Sequence, residues 1–371
     1  MNFLLAPNAM KNSLSAAKIA AIMQKTLHRR FPNDEIVLLP IADGGNGTLE
    51  CLMNALGGTV FEKEVTGPVP SMKVHAKFGI TRDGIAIIES AEAAGLHLLT
   101  PTADTLSRST TYGVGELIQE TVNRGCQEIW IGLGGSATND GGAGMAGALG
   151  VEYKDGNDQQ IDNGSLNILQ VKKILNIDSG IINTVKVKIL SDVQNPLLGA
   201  NGAAYTYAEQ KGAGKEQLPQ LESALSNFAD VVEERTGKQF RNIPGSGAAG
   251  GLAFGLMAFL NAEIVSGIDF ILDAVRFNER LEECDCVLTS EGSIDDQTVF
   301  GKGIAGIARR ANLLGKPLHA FVGRIDGDPD ALQQQLGLSS LAQISPTTMA
   351  TAEAIANAPW LLADAVYLHQ F

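Results

Sequence analysis

The stretch Glu128-Ile129-Trp130-Ile131 runs directly into Gly132-Leu133-Gly134-Gly135-Ser136-Ala137-Thr138-Asn139-Asp140-Gly141-Gly142-Ala143-Gly144, and the chain continues as apolar, helix-favouring Met145-Ala146-Gly147-Ala148-Leu149. A short β-branched and aromatic run, a glycine-rich loop and a helix start together predict the strand-loop-helix unit of an α/β fold. Such a loop suits an anion. Backbone N–H groups without Cβ atoms around them approach a ligand closely, and the unpaired N–H groups of the helix's first turn are expected to face it with the positive end of the dipole. Glycines alone would equally serve close packing of helix on strand. Ser136, Thr138, Asn139 and Asp140 supply more donors, acceptors and charge than a packing turn needs, and they favour phosphate.

The loop lacks the G-x-x-x-x-G-K-[ST] pattern, whereas Gly132, Gly134 and Ala137 fit the loose dinucleotide pattern G-x-G-x-x-[GA]. That pattern calls for an acidic residue about twenty positions on, at the end of a second strand. Here the region is Lys154-Asp155-Gly156-Asn157-Asp158-Gln159-Gln160, a polar loop. An NAD-linked oxidoreductase using the Gly132 loop therefore stands as an alternative to a nucleoside triphosphate enzyme.

Outward from this loop the chain changes rhythm twice. Asn2 to Ala6, a helix capped by Ser13 or Ser15 and running to about Arg30, and Glu35 to Pro40 make a β-α-β unit with parallel strands. Met72, Val74, Ala76, Phe78 and Ile80 then alternate with Lys73, His75 and Lys77, and Asp83-Gly84 turns the chain into Ile85 to Glu89: a hairpin with one wet face. Further helices are expected at about 111 to 124, 216 to 235 and after Pro244, and a strand at Val185 to Leu190. From residue 276 the helix-and-buried-strand alternation returns, with strands at Cys284 to Thr289 and Leu318 to Val322, a helix at about 301 to 313 and a last helix broken near Pro359. The expected fold is α/β: a discontinuous Rossmann-like parallel-sheet domain of residues 1–63 plus 276–371, an inserted mixed α/β domain of residues 64–275, and an active site in the cleft between them.

With 371 residues the chain is long enough for a large core in two domains. Its formal charge of -13, with 28 scattered basic residues, argues against nucleic acid as a partner. Cys51, Cys126, Cys284 and Cys286 include no C-x-x-C pair, and reduced thiols with no signal peptide fit the cytoplasm. The uncharged stretch Ile243 to Ala262 begins with Pro, Gly, Ser and Ala, so it reads as a buried helix rather than a membrane span.

Five polar loops follow apolar strands: Pro7 to Lys11, Ala42 to Thr48, the glycine loop, Ser191 to Pro196 and Ser290 to Gln297. Strand carboxyl ends in an open α/β sheet form the ligand crevice, so these loops can converge. They carry carboxylates, amides and hydroxyls, with Lys11, Lys211 and Lys302 nearby, a mixture suited to a metal, a phosphate and a proton acceptor. Asp43, Asp192 and Asp295 could instead cap helices or close turns, and Lys11 could be a solvated surface charge. The five histidines fall outside these loops and no G-x-S-x-G elbow is present, which counts against serine hydrolysis and histidine metal sites.

Ala6-Pro7 with Lys11-Asn12-Ser13-Leu14-Ser15-Ala16, Ala42-Asp43-Gly44-Gly45, Gly132 to Gly144, Ser191-Asp192-Val193-Gln194-Asn195-Pro196-Leu197, Gln210-Lys211-Gly212-Ala213, and Glu291-Gly292 with Asp295, Gln297-Thr298 and Gly301-Lys302 resemble, in order, the bacterial type 1 glycerate kinase family. The resemblance implies phosphorylation of D-glycerate by ATP with Mg²⁺, at the 2-hydroxyl in preference to the 3-hydroxyl, on a two-domain α/β fold. The chain departs from the family's pattern at Asn8, where Asp is usual, at Asn46 (Glu), Ser290 (Gly) and Ser293 (Arg). Two carboxylates are thus amides here, so a related small hydroxy acid becomes an alternative substrate and a non-catalytic ligand sensor a further reading. On the kinase reading, ATP phosphates lie over Gly134, Gly135, Ser136, Asn139, Asp140 and Gly141. Asp192 holds the metal, Asp295 accepts the hydroxyl proton and Lys11 neutralises charge. Arg108, Asp43 and Lys302 are the residues expected at the substrate.

Overall fold

The computed structural model describes residues 1–177, 185–296, 298 and 303–371. In chain order the strands are β1 (Asn2–Leu5), β2 (Glu35–Leu38), β3 (Gly58–Thr66), β4 (Lys73–Thr81), β5 (Ile85–Glu89), β6 (Glu128–Gly132), β7 (Glu152–Lys154), β8 (Lys173–Leu175), β9 (Lys186–Leu190), β10 (Glu263–Val265), β11 (Cys286–Asp295), β12 (Leu318–Asp326) and β13 (Ser340–Gln343). They fall into two compact units, one of Met1–Asp43, Glu50–Leu56 and Ile268–Phe371, the other of Gly44–Leu49 and Gly57–Gly267. The architecture is α/β, a discontinuous Rossmann-like parallel sheet with an inserted mixed sheet.

The first unit is built on the sheet β13-β12-β11-β1-β2, parallel throughout, with Phe3 opposite Cys286 and Leu5 opposite Leu288 where the two chain ends meet. Ser15 caps the helix Ala16–Arg30, its side chain accepting from Lys18 N at 3.3 Å, and Ile19, Met23 and Leu27 recur at helical spacing on the buried face. Against it lies the apolar face of Thr351–Leu368, where Ala358, Leu361, Leu362 and Val366 join the same core. That last helix is continuous through Pro359, contrary to the expected break. Proline deprives the carbonyl of Ile355 of its intrahelical donor, and the hydroxyl of Ser13 donates to that carbonyl at 3.4 Å instead.

Two strands outrun their apolar cores. The segment Ser290 to Asp295, expected as a loop, continues β11, because Glu291, Ser293 and Asp295 stay in register with Val322, Arg324 and Asp326 of an equally extended β12. Backbone pairing carries the ladder where hydropathy no longer signals it. The helix Pro329–Leu336 and β13 are additions to the sequence reading; Asp328 caps that helix, accepting from Asp330 N at 3.0 Å, with Pro329 in its first turn.

The second unit carries the sheet β10-β9-β6-β5-β4-β3, parallel from β10 to β5 and antiparallel beyond, with β7 and β8 as a separate antiparallel pair. On β4 Val74, Ala76 and Phe78 are buried while Lys73, His75 and Lys77 face water, which is the hairpin's single wet face. The helix Ala248–Leu260 is buried, as expected, but Ala249, Gly250 and Gly251 inside it have left-handed backbone, so regular helix starts only after them. Among the described residues no helix is long and apolar enough to cross a membrane. All four cysteines are buried thiols.

In the first unit His319 Nδ1 and His369 Nε2 share the hydroxyl of Ser340 at 2.8 and 3.1 Å, and His369 stacks edge-on to Phe371 with ring centroids 4.7 Å apart. Burial, helped by the neighbouring His369, holds His319 down from the ordinary 6.5 to about 4, and burial with Arg30 lowers His369 too. Because the folded values lie below the unfolded one, this pair's contribution is complete above about pH 6.5 and is lost as pH falls towards 4. Melting temperature should therefore decline across that window, and His319→Gln should flatten part of the decline. An unaltered decline in the variant would assign it to carboxylates.

Candidate active site

The glycine loop leaves β6 and is pinned on two sides within its unit. Gly134 N donates to Gly44 O at 3.3 Å, while Leu96 N donates to Gly135 O and Ala137 N to Ala94 O, each at 2.8 Å. Gly135 has φ +75°, a conformation that favours glycine, and a Cβ there would lie 2.6 Å from Asn46 Oδ1, which would have to move aside. The far wall is the left-handed turn Ala249–Gly251: Gly141 N donates to Gly250 O at 3.0 Å, and a Cβ on Gly250, at φ +66°, would fall 1.9 Å from Thr138 O.

Beneath the loop Asp140 is completely buried. Its carboxylate accepts from Thr111 N (2.7 Å), Thr111 Oγ1 (2.9 Å), Gly142 N (3.1 Å) and Gly144 N (3.1 Å). Burial raises its proton affinity, and these four donors pull it back. Ala143 N donates to Asp140 O and Met145 N to Thr111 Oγ1, so the first-turn donors of the helix Ala143–Ala148 are all engaged internally. This corrects the expectation that they face a phosphate: the protein's own carboxylate occupies that position. The N–H groups of Gly135 and Ser136, by contrast, have no acceptor among the described residues.

Lys211 lies behind the crest, 4% exposed, donating to Ser136 Oγ at 3.1 Å and to Thr138 O at 2.7 Å. Burial drops its ammonium from 10.5 to about 7, with the charge of Asp140 acting the other way. Both side-chain polar atoms of Asn139 and the Thr138 hydroxyl are buried without a partner among the described residues. Unpaired buried polar atoms are costly, and such groups are commonly met by an ordered water or by a ligand. Asp192 follows β9, the strand beside β6, and its Oδ1 accepts from Ser266 Oγ at 2.8 Å. Arg108 is exposed and ion-paired to Asp104 at 2.6 Å, while its neighbours Ser109, Thr110 and Thr111 are buried scaffold.

The first unit holds a second group. Half-buried Glu291 accepts from Asn8 Nδ2 at 3.0 Å, and Asn8 Oδ1 in turn accepts from Ala9 N at 2.8 Å. Burial and the charge of Asp43 push the Glu291 carboxyl up to about 7, against the hydrogen bonds from Asn8 and Gly292 and the charge of Lys11. Asp295, further along β11, accepts from Thr298 N at 2.9 Å and from Thr298 Oγ1 at 3.0 Å, which closes a local turn. Lys302 lies outside the described residues. Among the described residues no three His, Cys, Asp or Glu side chains form a metal-binding group. Sequence reasoning placed neither Lys211 nor Glu291 in a role; their signal was membership of the Gln210–Ala213 and Glu291–Gly292 motifs.

The profile of the Glycerate kinase family matches residues 3–368. The chain belongs to the glycerate kinase family. It is 40% identical to the glycerate kinase of Bacillus subtilis over 96% of this chain and 94% of that protein, and 40% identical to the glycerate 2-kinase of Escherichia coli over 90% and 88%. A crystal structure from Salmonella typhimurium LT2, provisionally named glycerate kinase 2, superposes with a TM-score of 0.82 at 34% identity, covering 99% of this chain and 96% of that one. The type 1 expectation is corrected by these matches, which place the chain with the type II, glycerate 2-kinase members of the family. The dinucleotide alternative also loses its structural basis, because β7, the strand after the loop, pairs with β8 in a separate antiparallel sheet and not beside β6.

Asp140→Asn turns an amide NH₂ towards backbone donors that previously met a carboxylate oxygen. We expect a loss of about 3–5 kcal/mol in urea unfolding, the range for breaking a buried charged network. A loss under about 1 kcal/mol would mean that Asp140 does not organise the loop.

Proposed function

We propose that this glycerate kinase phosphorylates D-glycerate at its 2-hydroxyl with ATP, giving 2-phosphoglycerate and ADP. The observation that carries this reading is the family match along residues 3–368, and the site chemistry agrees with it. Phosphoryl transfer needs positioning and charge neutralisation more than covalent chemistry. The second unit supplies the phosphate site: the open N–H groups of Gly135 and Ser136, the hydroxyl of Ser136 and the ammonium of Lys211. Asn139, whose buried amide has no partner among the described residues, lies in the same loop. Asp140 and Gly141 shape the loop from below.

Mg²⁺ accompanies the nucleotide and neutralises its phosphates. Asp192, just after β9, is the carboxylate that would hold the ion. The first unit supplies the acceptor's environment. Lys11, exposed next to Gly292, offsets the charge of the glycerate carboxylate, and Asp43 contributes the hydrogen-bond acceptor that a hydroxy acid's second hydroxyl requires.

Incubation with ATP, Mg²⁺ and D-glycerate should release ADP, and phosphorus-proton correlation NMR of the product should couple phosphorus to the single C2 proton. Coupling to the C3 methylene protons would reassign the hydroxyl, and no ADP release would overturn the kinase reading. Lys211→Met should raise the ATP concentration for half-saturation by about 10- to 100-fold, as expected for losing a charge-assisted hydrogen bond, with the fold retained. Unchanged ATP saturation in that variant would remove Lys211 from the phosphate site.

A further inference from the structure

Glu291 is held by a fixed amide on one side. One oxygen, Oε2, faces the Asn8 amide at 3.0 Å, and that amide cannot turn over without losing Ala9 N, 2.8 Å from its other end. Among the described residues Oε1 receives only a long bond from Gly292 N, at 3.3 Å. The helix Gly303–Leu313 starts against the pair: a Cβ on Gly303 would lie 3.0 Å from Glu291 Oε2 and 2.7 Å from Asn8 Nδ2. The carboxylate is therefore oriented, half-buried and left with one weakly engaged oxygen. Asp295 sits four residues on along β11 and on the same face, but Thr298 occupies its Oδ1 twice.

We propose that Glu291, rather than Asp295, accepts the proton of the attacking glycerate hydroxyl, with Asn8 as the positioning residue that sets its orientation and proton affinity. The inference rests on the kinase reading above. In the step, the hydroxyl O–H bond breaks and its proton passes to Glu291. The oxygen's electron pair forms the new bond to the γ-phosphorus, while the bond from that phosphorus to the β,γ-bridging oxygen breaks and its pair leaves with ADP. Glu291 then returns the proton to water. Among the described residues the charged groups facing Glu291 are Lys11 from the loop after β1 and Asp43 from the chain after β2; β12 presents Val322 in register. Burial and Asp43 together push the carboxyl up to about 7, where about half of it is ionised at neutral pH and the ionised form is a stronger base than an ordinary carboxylate.

The test combines pH-rate profiles with a carboxyl titration followed by ¹³C NMR on glutamate-labelled protein. The rate in wild type should fall on the acid side with a midpoint near 7, and one glutamate carboxyl should titrate at the same midpoint. Glu291→Gln should lower kcat by about 10²- to 10⁴-fold with little change in ATP saturation, and should remove that resonance. Asp295→Asn, which keeps an acceptor for Thr298, should stay within about tenfold of wild type. Asn8→Asp sets a second carboxylate against Glu291, so both the acid limb and the resonance should move upwards by about one pH unit or more. If Glu291→Gln does not fold, the Asn8→Asp shift decides. An unmoved acid limb, or an Asp295→Asn variant that loses the rate while Glu291→Gln keeps it, overturns the proposal. Failure of wild type to phosphorylate glycerate would instead defeat the kinase reading itself.

Discussion

The buried carboxylate of Asp140 is the constraint on which the second unit's site depends. It gathers Thr111 through backbone and hydroxyl, and Gly142 and Gly144 through backbone, and so ties the glycine loop, the following helix and the Thr110-Thr111 segment into one piece. A carboxylate removed from water is tolerated only when it is paired and hydrogen-bonded, and four donors meet that requirement. Lys211 adds a buried amine, bonded to the loop's own Ser136 and Thr138. With the helix terminus already neutralised from inside, the part of the loop open to an anion is its crest.

A different constraint shapes the first unit. Parallel pairing of β11 with β12 persists beyond the apolar residues, carrying Glu291, Ser293 and Asp295 outward on alternate positions of a regular strand. Asn8 reaches Glu291 from the extension of β1, where Asn8 N donates to Ser290 O at 3.1 Å and the Ser290 hydroxyl donates back to Asn8 O at 2.8 Å. Glu291 is thus carried on a central strand, and Asn8 on the segment after β1 that stays hydrogen-bonded to that strand. Proton transfer benefits from that rigidity, since a base misplaced by an ångström loses much of its effect.

Much of the fold was legible because periodicity reports burial: the 2-residue alternation from Met72 to Ile80 and the helical spacing of Ile19, Met23 and Leu27 both match the buried faces observed. Legibility stopped where backbone pairing or a distant side chain took over from hydropathy. The extension of β11 through Ser290–Asp295 is polar, and the carbonyl that Pro359 leaves without its helical donor meets the hydroxyl of Ser13, remote in sequence. At the site, the glycine loop announced itself, but the direction of its donors did not, since a helix start looks the same in sequence whether its N–H groups face a ligand or an internal Asp140. Glu291 and Lys211 owe their properties to burial among residues far apart in the chain, a quantity that spacing does not encode.

The claim that the loop's crest, and not the helix start, receives phosphate is tested most directly by backbone amide NMR of the folded protein titrated with a non-hydrolysable ATP analogue and Mg²⁺. The account predicts the largest shifts at Gly135 and Ser136 N–H, with Gly142, Gly144 and Met145 N–H little changed because they remain bonded to Asp140 and Thr111. Shifts centred on Gly142 to Met145, with the crest unaffected, would contradict it.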